Sequence, residues 1–146
     1  MSEKISVIIP VFNVENYIRE SLDSLLNQTY SNWEAIVVDD GSTDSSPKIL
    51  SEYANQDQRI VVIRQENSGV SSARNTALRK LTGDYVLFLD PDDFIHSEFI
   101  ERLEMMLVQS DAEIAYCKML DVWEGSDVEH IPKITDKVCI LDARRY

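Results

Sequence analysis

The sequence is poor in positive charge. Lysine and arginine together number 14 against 26 aspartates and glutamates, which gives a formal net charge of −12 at pH 7. A chain this acidic repels the phosphate backbone of a nucleic acid unless its basic residues are strongly segregated. We therefore expect no nucleic-acid partner.

Cysteines and long apolar runs are also scarce. Cys117 and Cys139 lack the C-x-x-C spacing and the nearby histidines of a zinc site, and one pair makes no disulfide framework. Free thiols of this kind suit the cytoplasm. The apolar run at residues 5–12 is shorter than a membrane span, contains Pro10 and precedes no small-residue cleavage site. We expect a cytoplasmic protein without a membrane span or a signal peptide.

Short β-branched runs alternate with helical patterns along most of the 146 residues, of which 44% are hydrophobic. Apolar residues at i, i+4, i+7 and i+8, as in residues 18–26, predict amphipathic helices. This alternation predicts an α/β fold, a mostly parallel sheet with helices on both faces. With the strand order 3-2-1-4, the carboxyl ends of strands 1, 2 and 4 share one rim. The predicted strands are residues 5–12, 33–38, 60–63 and 85–89, and the helices are residues 18–26, 44–55, 70–81 and 99–107.

The pattern weakens toward the C-terminus. Residues 113–120 predict a fifth strand, and beyond that only residues 138–141 suggest another. We therefore assign residues 1–120 to one α/β domain and residues 121–146 to the start of a further segment. Apolar residues in that segment have no evident partner and suggest a homo-oligomer: Trp123, Ile131, Ile134 and Ile140.

Two predicted strands end in carboxylates. Asp90, Asp92 and Asp93 follow residues 85–89, which we interpret as a strand covered on both faces, and residues 39–40 are also aspartates. Carboxylates this close repel one another unless a cation lies among them. Their oxygens suit Mg²⁺ or Mn²⁺. The alternative is an acidic loop that leads into a helix N-terminus, where aspartate is also favoured.

With such a metal, the rim could hold the diphosphate of a nucleotide. Asp39 or Asp40 would then be free to accept a hydrogen bond from a base N–H. Arg74, at the start of the third helix, could face the phosphate oxygens, although it could equally be a solvated helix residue. No G-x-G-x-x-G follows the first strand and no G-x-x-x-x-G-K-[ST] occurs, which excludes those dinucleotide and P-loop sites.

Four segments resemble, in order, the motifs of family 2 glycosyltransferases with the GT-A fold. They are IIPVFN at residues 8–13, VVDDGSTD at 37–44, NSGVSSARN at 67–75 and LDPDD at 89–93. The resemblance spans roughly residues 5–120. It implies transfer of a sugar from a nucleotide-sugar, usually a UDP-sugar, with inversion and with Mg²⁺ or Mn²⁺ bound through the D-x-D motif.

The resemblance also implies roles for individual residues. Asp90 and Asp92 match the D-x-D pair, with Asp92 the better metal ligand and Asp90 nearer the ribose. Asp93 is a further candidate metal ligand. Asp40 matches the residue that reads the uracil edge, and Phe12 the residue that lines the base. The expected donor site also includes Pro10, Asn13, Asp39 and, facing the diphosphate, Arg74.

The sequence reaches Tyr146 without a motif that matches the family's catalytic carboxylate. We therefore expect the general base to lie beyond Tyr146, in a truncated C-terminal half that binds a saccharide or lipid-linked acceptor. A non-catalytic nucleotide-sugar-binding module is one alternative. A haloacid dehalogenase-type phosphatase, which also places D-x-D after an apolar strand, is another, although its motif usually follows the first strand.

Overall fold

A computed structural model describes residues 3–110, 112–115 and 140–141 of the chain. The chain divides into two compact units, Met1–Glu101 and Arg102–Tyr146. Trp123, Ile131, Ile134 and most of residues 121–146 lie outside the described residues, so the boundary at residue 120 and the homo-oligomer stay predictions. The elements in chain order are β1 (Ile5–Val11), α1 (Ile18–Leu26), β2 (Trp33–Asp39), α2 (Ser46–Gln56), β3 (Ile60–Arg64), α3 (Val70–Leu78), β4 (Tyr85–Phe88), α4 (Phe99–Ser110), β5 (Ile114–Ala115) and β6 (Ile140–Leu141).

The strands of the first unit form one parallel sheet in the order β3-β2-β1-β4. The register pairs Ile5 with Trp33 at one end of β1 and Val11 with Asp39 at the other. This order confirms the predicted α/β fold class and the predicted rim, because the carboxyl ends of β1 and β2 lie side by side. In the second unit β5 pairs with β6 in the antiparallel direction. Of the strand predicted at residues 113–120, the structure describes the two residues of β5 as a strand.

Alternate residues of β1 face two separate cores, as strand geometry requires. Val7 and Ile9 belong to the larger core, which α1 and α2 cover. Ile8 faces the other side and packs with Ala73 and Ala77 of α3. The small alanine side chains let α3 lie close to the sheet, which brings its N-terminus to the rim.

The strand β4 is not covered on both faces as expected. Val86 and Phe88 are 40% and 51% exposed, whereas Tyr85 and Leu87 are half-buried against the larger core. Within the described part of the chain, β4 is an edge strand that pairs only with β1. A run of apolar residues indicates two apolar faces, but it does not indicate what covers each of them.

The helix α3 ends earlier than its apolar pattern suggested. It stops at Leu78, while Leu81 still packs against the α3 side of the sheet. Gly83 lies in the turn before β4. A Cβ atom there would lie 2.6 Å from Ser6 Oγ and 2.7 Å from Lys4 O, so this glycine is required by close backbone approach.

Candidate functional site

A cleft of about 500 Å³ opens at the carboxyl edge of the sheet. Its walls come from the end of β1, the N-terminal turn of α3 and the turn after β4. This size and position are typical of small-molecule sites in parallel α/β sheets. The sequence-predicted residues that line it are Pro10, Phe12, Asp40, Arg74, Asp90 and Asp92.

Backbone hydrogen bonds that continue the parallel ladders bring these segments together. The N–H of Asp40 donates to Val11 O at 2.8 Å, next to Phe12. On the other side of β1, the N–H of Leu89 donates to Ile8 O at 3.0 Å, just before Asp90. Residues far apart in the sequence therefore reach one cleft because their strands end at the same edge.

Asp40 is almost fully buried at this edge, at 3% exposure. Its Oδ1 accepts hydrogen bonds from Gln65 Nε2 at 2.7 Å and from Ser68 N at 2.9 Å, and its Oδ2 accepts one from Gly69 N at 2.8 Å. Burial raises the pKa of Asp40, but these hydrogen bonds outweigh it and hold the pKa below its usual value. The negative charge also stabilises the N-terminus of α3, which begins at Val70.

Asp39 and Asp40, either of which was expected to accept a base hydrogen bond, differ in their surroundings. Asp40 already holds three hydrogen bonds and keeps part of its acceptor capacity. Asp39 is 1% exposed and does not line the cleft. Its Oδ1 accepts the Ser42 N–H at 2.9 Å, and its Oδ2 lies 3.4 Å from Arg64 Nε in an ion pair without hydrogen-bond geometry. In this structure Asp39 fixes the loop after β2.

Asn13 also supports the rim rather than lining the cleft. It adopts a left-handed backbone conformation, with φ of 52°, which asparagine tolerates better than most residues. Its Oδ1 accepts the Thr43 N–H at 2.8 Å, and its own N–H donates to Ser42 Oγ at 3.1 Å. These bonds tie the loop after β1 to the loop after β2.

Arg74 is not a freely solvated helix residue. Its Nη2 donates to Asp90 Oδ1 at 2.7 Å, and its guanidinium carbon lies 5.8 Å from the centre of the Phe88 ring. The ion pair is partly exposed, with Asp90 half-exposed. The Nε of Arg74 is buried and has no hydrogen-bond partner among the described residues. The arrangement places one cation beside the acidic turn that follows β4.

The acidic turn crowds three carboxylates. The N–H of Asp93 donates to Asp90 O at 3.0 Å, which closes the turn. Burial first, and then the charges of Asp92 and Asp90, raise the pKa of Asp93. A cation bound here would relieve this repulsion.

The turn offers carboxylate oxygens but no complete metal cage. Among residues 3–110, 112–115 and 140–141, no group of three or more histidine, cysteine, aspartate or glutamate side chains is arranged to hold a metal ion. Mg²⁺ commonly binds one or two carboxylates and takes its other ligands from phosphates and water. Asp90 and Asp92, which line the cleft, therefore fit a metal that is shared with a phosphate ligand.

The residues that support Asp40 from the loop after β3 were not predicted as site residues. Asn67, Gly69 and Val70 line the cleft, and Gln65 holds Asp40. Two signals pointed to this loop: residues 67–75 resemble one of the four family motifs, and the loop follows a strand that ends at the same rim. A single sequence does not show which side chains of such a loop turn toward a neighbouring strand.

The fold and the cleft define an α/β protein with a cleft of small-molecule size at the carboxyl edge of a parallel sheet. The sequence matches the family model of glycosyl transferase family 2 over residues 6–134, and the chain belongs to this family. The predicted family is confirmed, which leaves the phosphatase alternative without support.

Relatives and solved structures agree with this assignment. The chain is 50% identical over 115 residues to glycosyltransferase GlyA of Streptococcus pneumoniae. This match covers 79% of this chain and 16% of GlyA. S. aureus TarS 1–349 in complex with UDP superposes with a TM-score of 0.71 at 37% identity, over 75% of this chain and 33% of TarS 1–349. A mannosyltransferase from Pyrobaculum calidifontis, solved with GDP-Man and Mn²⁺, superposes with a TM-score of 0.61 at 32% identity. The match covers 64% of this chain and 29% of the mannosyltransferase. The fold is therefore GT-A.

This chain spans a third or less of the proteins named above, 16% of GlyA and 33% of TarS 1–349. The activity, substrates and partners of a whole enzyme consequently remain matters of proposal. Among the residues that the structure describes, none of the helices has the length and apolar character needed to cross a membrane.

Proposed function

We propose that the cleft binds the nucleotide diphosphate of a UDP-sugar and that the chain supplies the donor-binding part of an inverting glycosyltransferase. One observation carries this proposal: Phe12, Asp40, Arg74 and the acidic turn, which come from four separate segments, line a single cleft. An exposed aromatic ring, a carboxylate acceptor and a cation beside clustered carboxylates match the chemistry of a nucleotide diphosphate and its metal.

The base would lie at the end of the cleft formed by Phe12 and Asp40. Phe12 is 45% exposed, so its ring is available for stacking on a planar base. Asp40 is an acceptor that can bind a ring N–H, because its oxygens are not all saturated. Pro10, which lines the same wall, keeps the backbone stiff at this point.

The diphosphate would lie at the other end, near Arg74 and the acidic turn. Asp92 and Asp90 would hold Mg²⁺ or Mn²⁺, with Asp93 beside them. When bound, such a metal supplies charge neutralisation for the diphosphate leaving group. Arg74 now pairs with Asp90 and would add a second positive charge near the phosphate oxygens.

The acceptor in this proposal is a saccharide or a lipid-linked saccharide. We assign the general base to none of the described residues. A catalytic carboxylate within hydrogen-bond reach of the acceptor hydroxyl commonly contributes ~10²–10⁴-fold in rate. We therefore expect this chain alone to release UDP from a UDP-sugar slowly. A cytoplasmic location, suggested by the cysteine usage, is part of the same proposal.

The test is calorimetric titration of UDP into the chain, once with MnCl₂ and once with a chelator. We expect binding that weakens strongly in chelator and in Asp92→Asn. Asp84→Asn is the matched control, because Asp84 lies before the start of β4, at the opposite end of the strand from Asp92, and accepts the Lys4 N–H there. Equal UDP affinity in manganese and in chelator would overturn the role of the acidic turn.

A second measurement separates the donor-binding part of an enzyme from a non-catalytic module. UDP released from UDP-sugars is followed with and without added acceptor. Slow metal-dependent release that disappears in Asp92→Asn supports the enzyme. Tight binding of the UDP-sugar with no release above the buffer rate supports the non-catalytic module.

A further inference from the structure

Gln65 lies directly behind Asp40, between β3 and α3. Its Nε2 donates to Asp40 Oδ1 at 2.7 Å and lies 3.3 Å from Ser72 Oγ, which accepts a second hydrogen bond. Its Oε1 accepts the Thr76 hydroxyl at 2.7 Å. Both protons and the carbonyl oxygen of this amide are therefore in use, and the side chain is held from three directions.

The Asp40 carboxylate fixes the direction of these hydrogen bonds. An ionised carboxylate can only accept, so the Gln65 amide nitrogen must face Asp40 Oδ1. Oε1 then faces Thr76 and accepts its hydroxyl, while the Thr76 oxygen accepts from Arg79 Nη2 at 3.1 Å. We call the set Arg79, Thr76, Gln65 and Asp40 the amide relay.

The amide relay determines how much acceptor capacity Asp40 keeps. Oδ1 holds two hydrogen bonds, from Gln65 and from Ser68 N, and a carboxylate oxygen accepts about two. Oδ2 holds only the bond from Gly69 N. Asp40 therefore offers one remaining acceptor position, on Oδ2.

We infer that Gln65 and Thr76 are positioning residues that set the base selectivity of the cleft by orienting Asp40, whose single remaining acceptor position is on Oδ2. This inference rests on the proposed nucleotide-binding function. A uracil ring presents one N–H between two carbonyl groups and needs one acceptor. A guanine ring presents two adjacent donors, N1–H and the exocyclic amine, and needs two. One donor of guanine would stay unpaired against Asp40, which disfavours GDP.

The first test compares UDP and GDP binding by calorimetry in manganese, using the full chain and Gln65→Met. Methionine keeps the length of the side chain but removes the donor that orients Asp40. We expect UDP to bind about tenfold more weakly, as for the loss of an orienting hydrogen bond to a charged group. GDP affinity should change by less than about threefold, because one donor of guanine stays unpaired against Asp40 with or without the Gln65 hydrogen bond.

Thr76 gives a second and milder test. Thr76→Val removes the hydroxyl at constant shape, so Gln65 Oε1 loses the hydrogen bond that holds it in place. We expect the preference for UDP over GDP to become smaller, as in Gln65→Met. Thr76→Ser keeps the hydroxyl and should restore the wild-type ratio. Thr29→Val is the matched control, because Thr29 bonds Glu101 and does not line the cleft.

The possible outcomes separate this inference from the proposed function. If the wild-type chain binds no UDP, both fall together. If it binds UDP in preference to GDP, and both Gln65→Met and Thr76→Val keep that ratio, only the inference on selectivity is overturned. Melting temperatures are measured in parallel, and a lowered melting temperature with an unchanged ratio would assign the amide relay a purely structural role.

Discussion

Replacing Glu34 with glutamine should destabilise the protein near neutral pH and much less in strong acid. Glu34 lies in β2 and its side chain is 12% exposed. Oε1 accepts the Ser6 hydroxyl at 2.7 Å and the Thr82 N–H at 2.6 Å. Oε2 accepts Lys4 Nζ at 2.7 Å and the Thr82 hydroxyl at 2.9 Å. This carboxylate therefore joins β1, β2 and the turn that leads into β4.

The size of the effect follows from the pKa of Glu34. Burial raises this pKa, but the hydrogen bonds from Lys4, Ser6 and Thr82 outweigh burial and lower it from 4.5 to about 2. At 1.36 kcal/mol per pKa unit, that difference corresponds to about 3 kcal/mol of folding free energy. Because the pKa is lowered in the folded state, the contribution is present above the unfolded value of 4.5 and is lost as the pH falls through about 2.

The assay is urea unfolding of the wild type and Glu34→Gln at pH 7 and again near pH 3. We expect a loss of up to about 3 kcal/mol at pH 7 and a smaller difference at the lower pH. Glu52→Gln is the control, because Glu52 makes an exposed ion pair with Arg19 and should change stability little. A difference that is the same at both pH values, or absent at pH 7, would refute the role of the Glu34 charge.

Three further substitutions test other parts of the structure. In Asp40→Asn, the amide group cannot accept all three hydrogen bonds, and we expect a loss of roughly 2–3 kcal/mol in urea unfolding together with weaker UDP binding. Phe12→Ala should weaken UDP binding by ~1–3 kcal/mol in calorimetry without lowering the melting temperature, because the ring is 45% exposed. Gly83→Ala should lower the melting temperature through contact with Lys4 and Ser6 backbone atoms, whose movement costs more than that of a side chain.

Much of the fold could be predicted from local pattern. Residues 5–12 and 33–38 are β-branched and apolar, and β1 and β2 follow them closely. The strand order brought Asp40 and Asp92 to one edge, and both line the cleft. These features are predictable because periodicity, chain connectivity and the handedness of parallel connections determine them together.

Other features depend on contacts that no local pattern encodes. Val86 and Phe88 belong to an apolar run, yet their exposure depends on what lies beside β4. Asp39 and Asp40 are adjacent aspartates with different roles, because successive side chains of an extended segment point in opposite directions. Gln65 contacts Asp40 only because β3 ends beside β2, so its role depends on the register of two strands.

The central claim is that one cleft at the carboxyl edge of the sheet binds the nucleotide diphosphate. The most direct test is a titration of the isotope-labelled chain with UDP and Mg²⁺, followed by amide NMR. We predict that the largest shifts appear at Phe12, Gly69, Arg74 and Asp92, with little change at Glu34, which lies toward the other end of the sheet. Shifts centred on Glu34 or spread evenly over the sheet, with the cleft residues unmoved, would contradict the account.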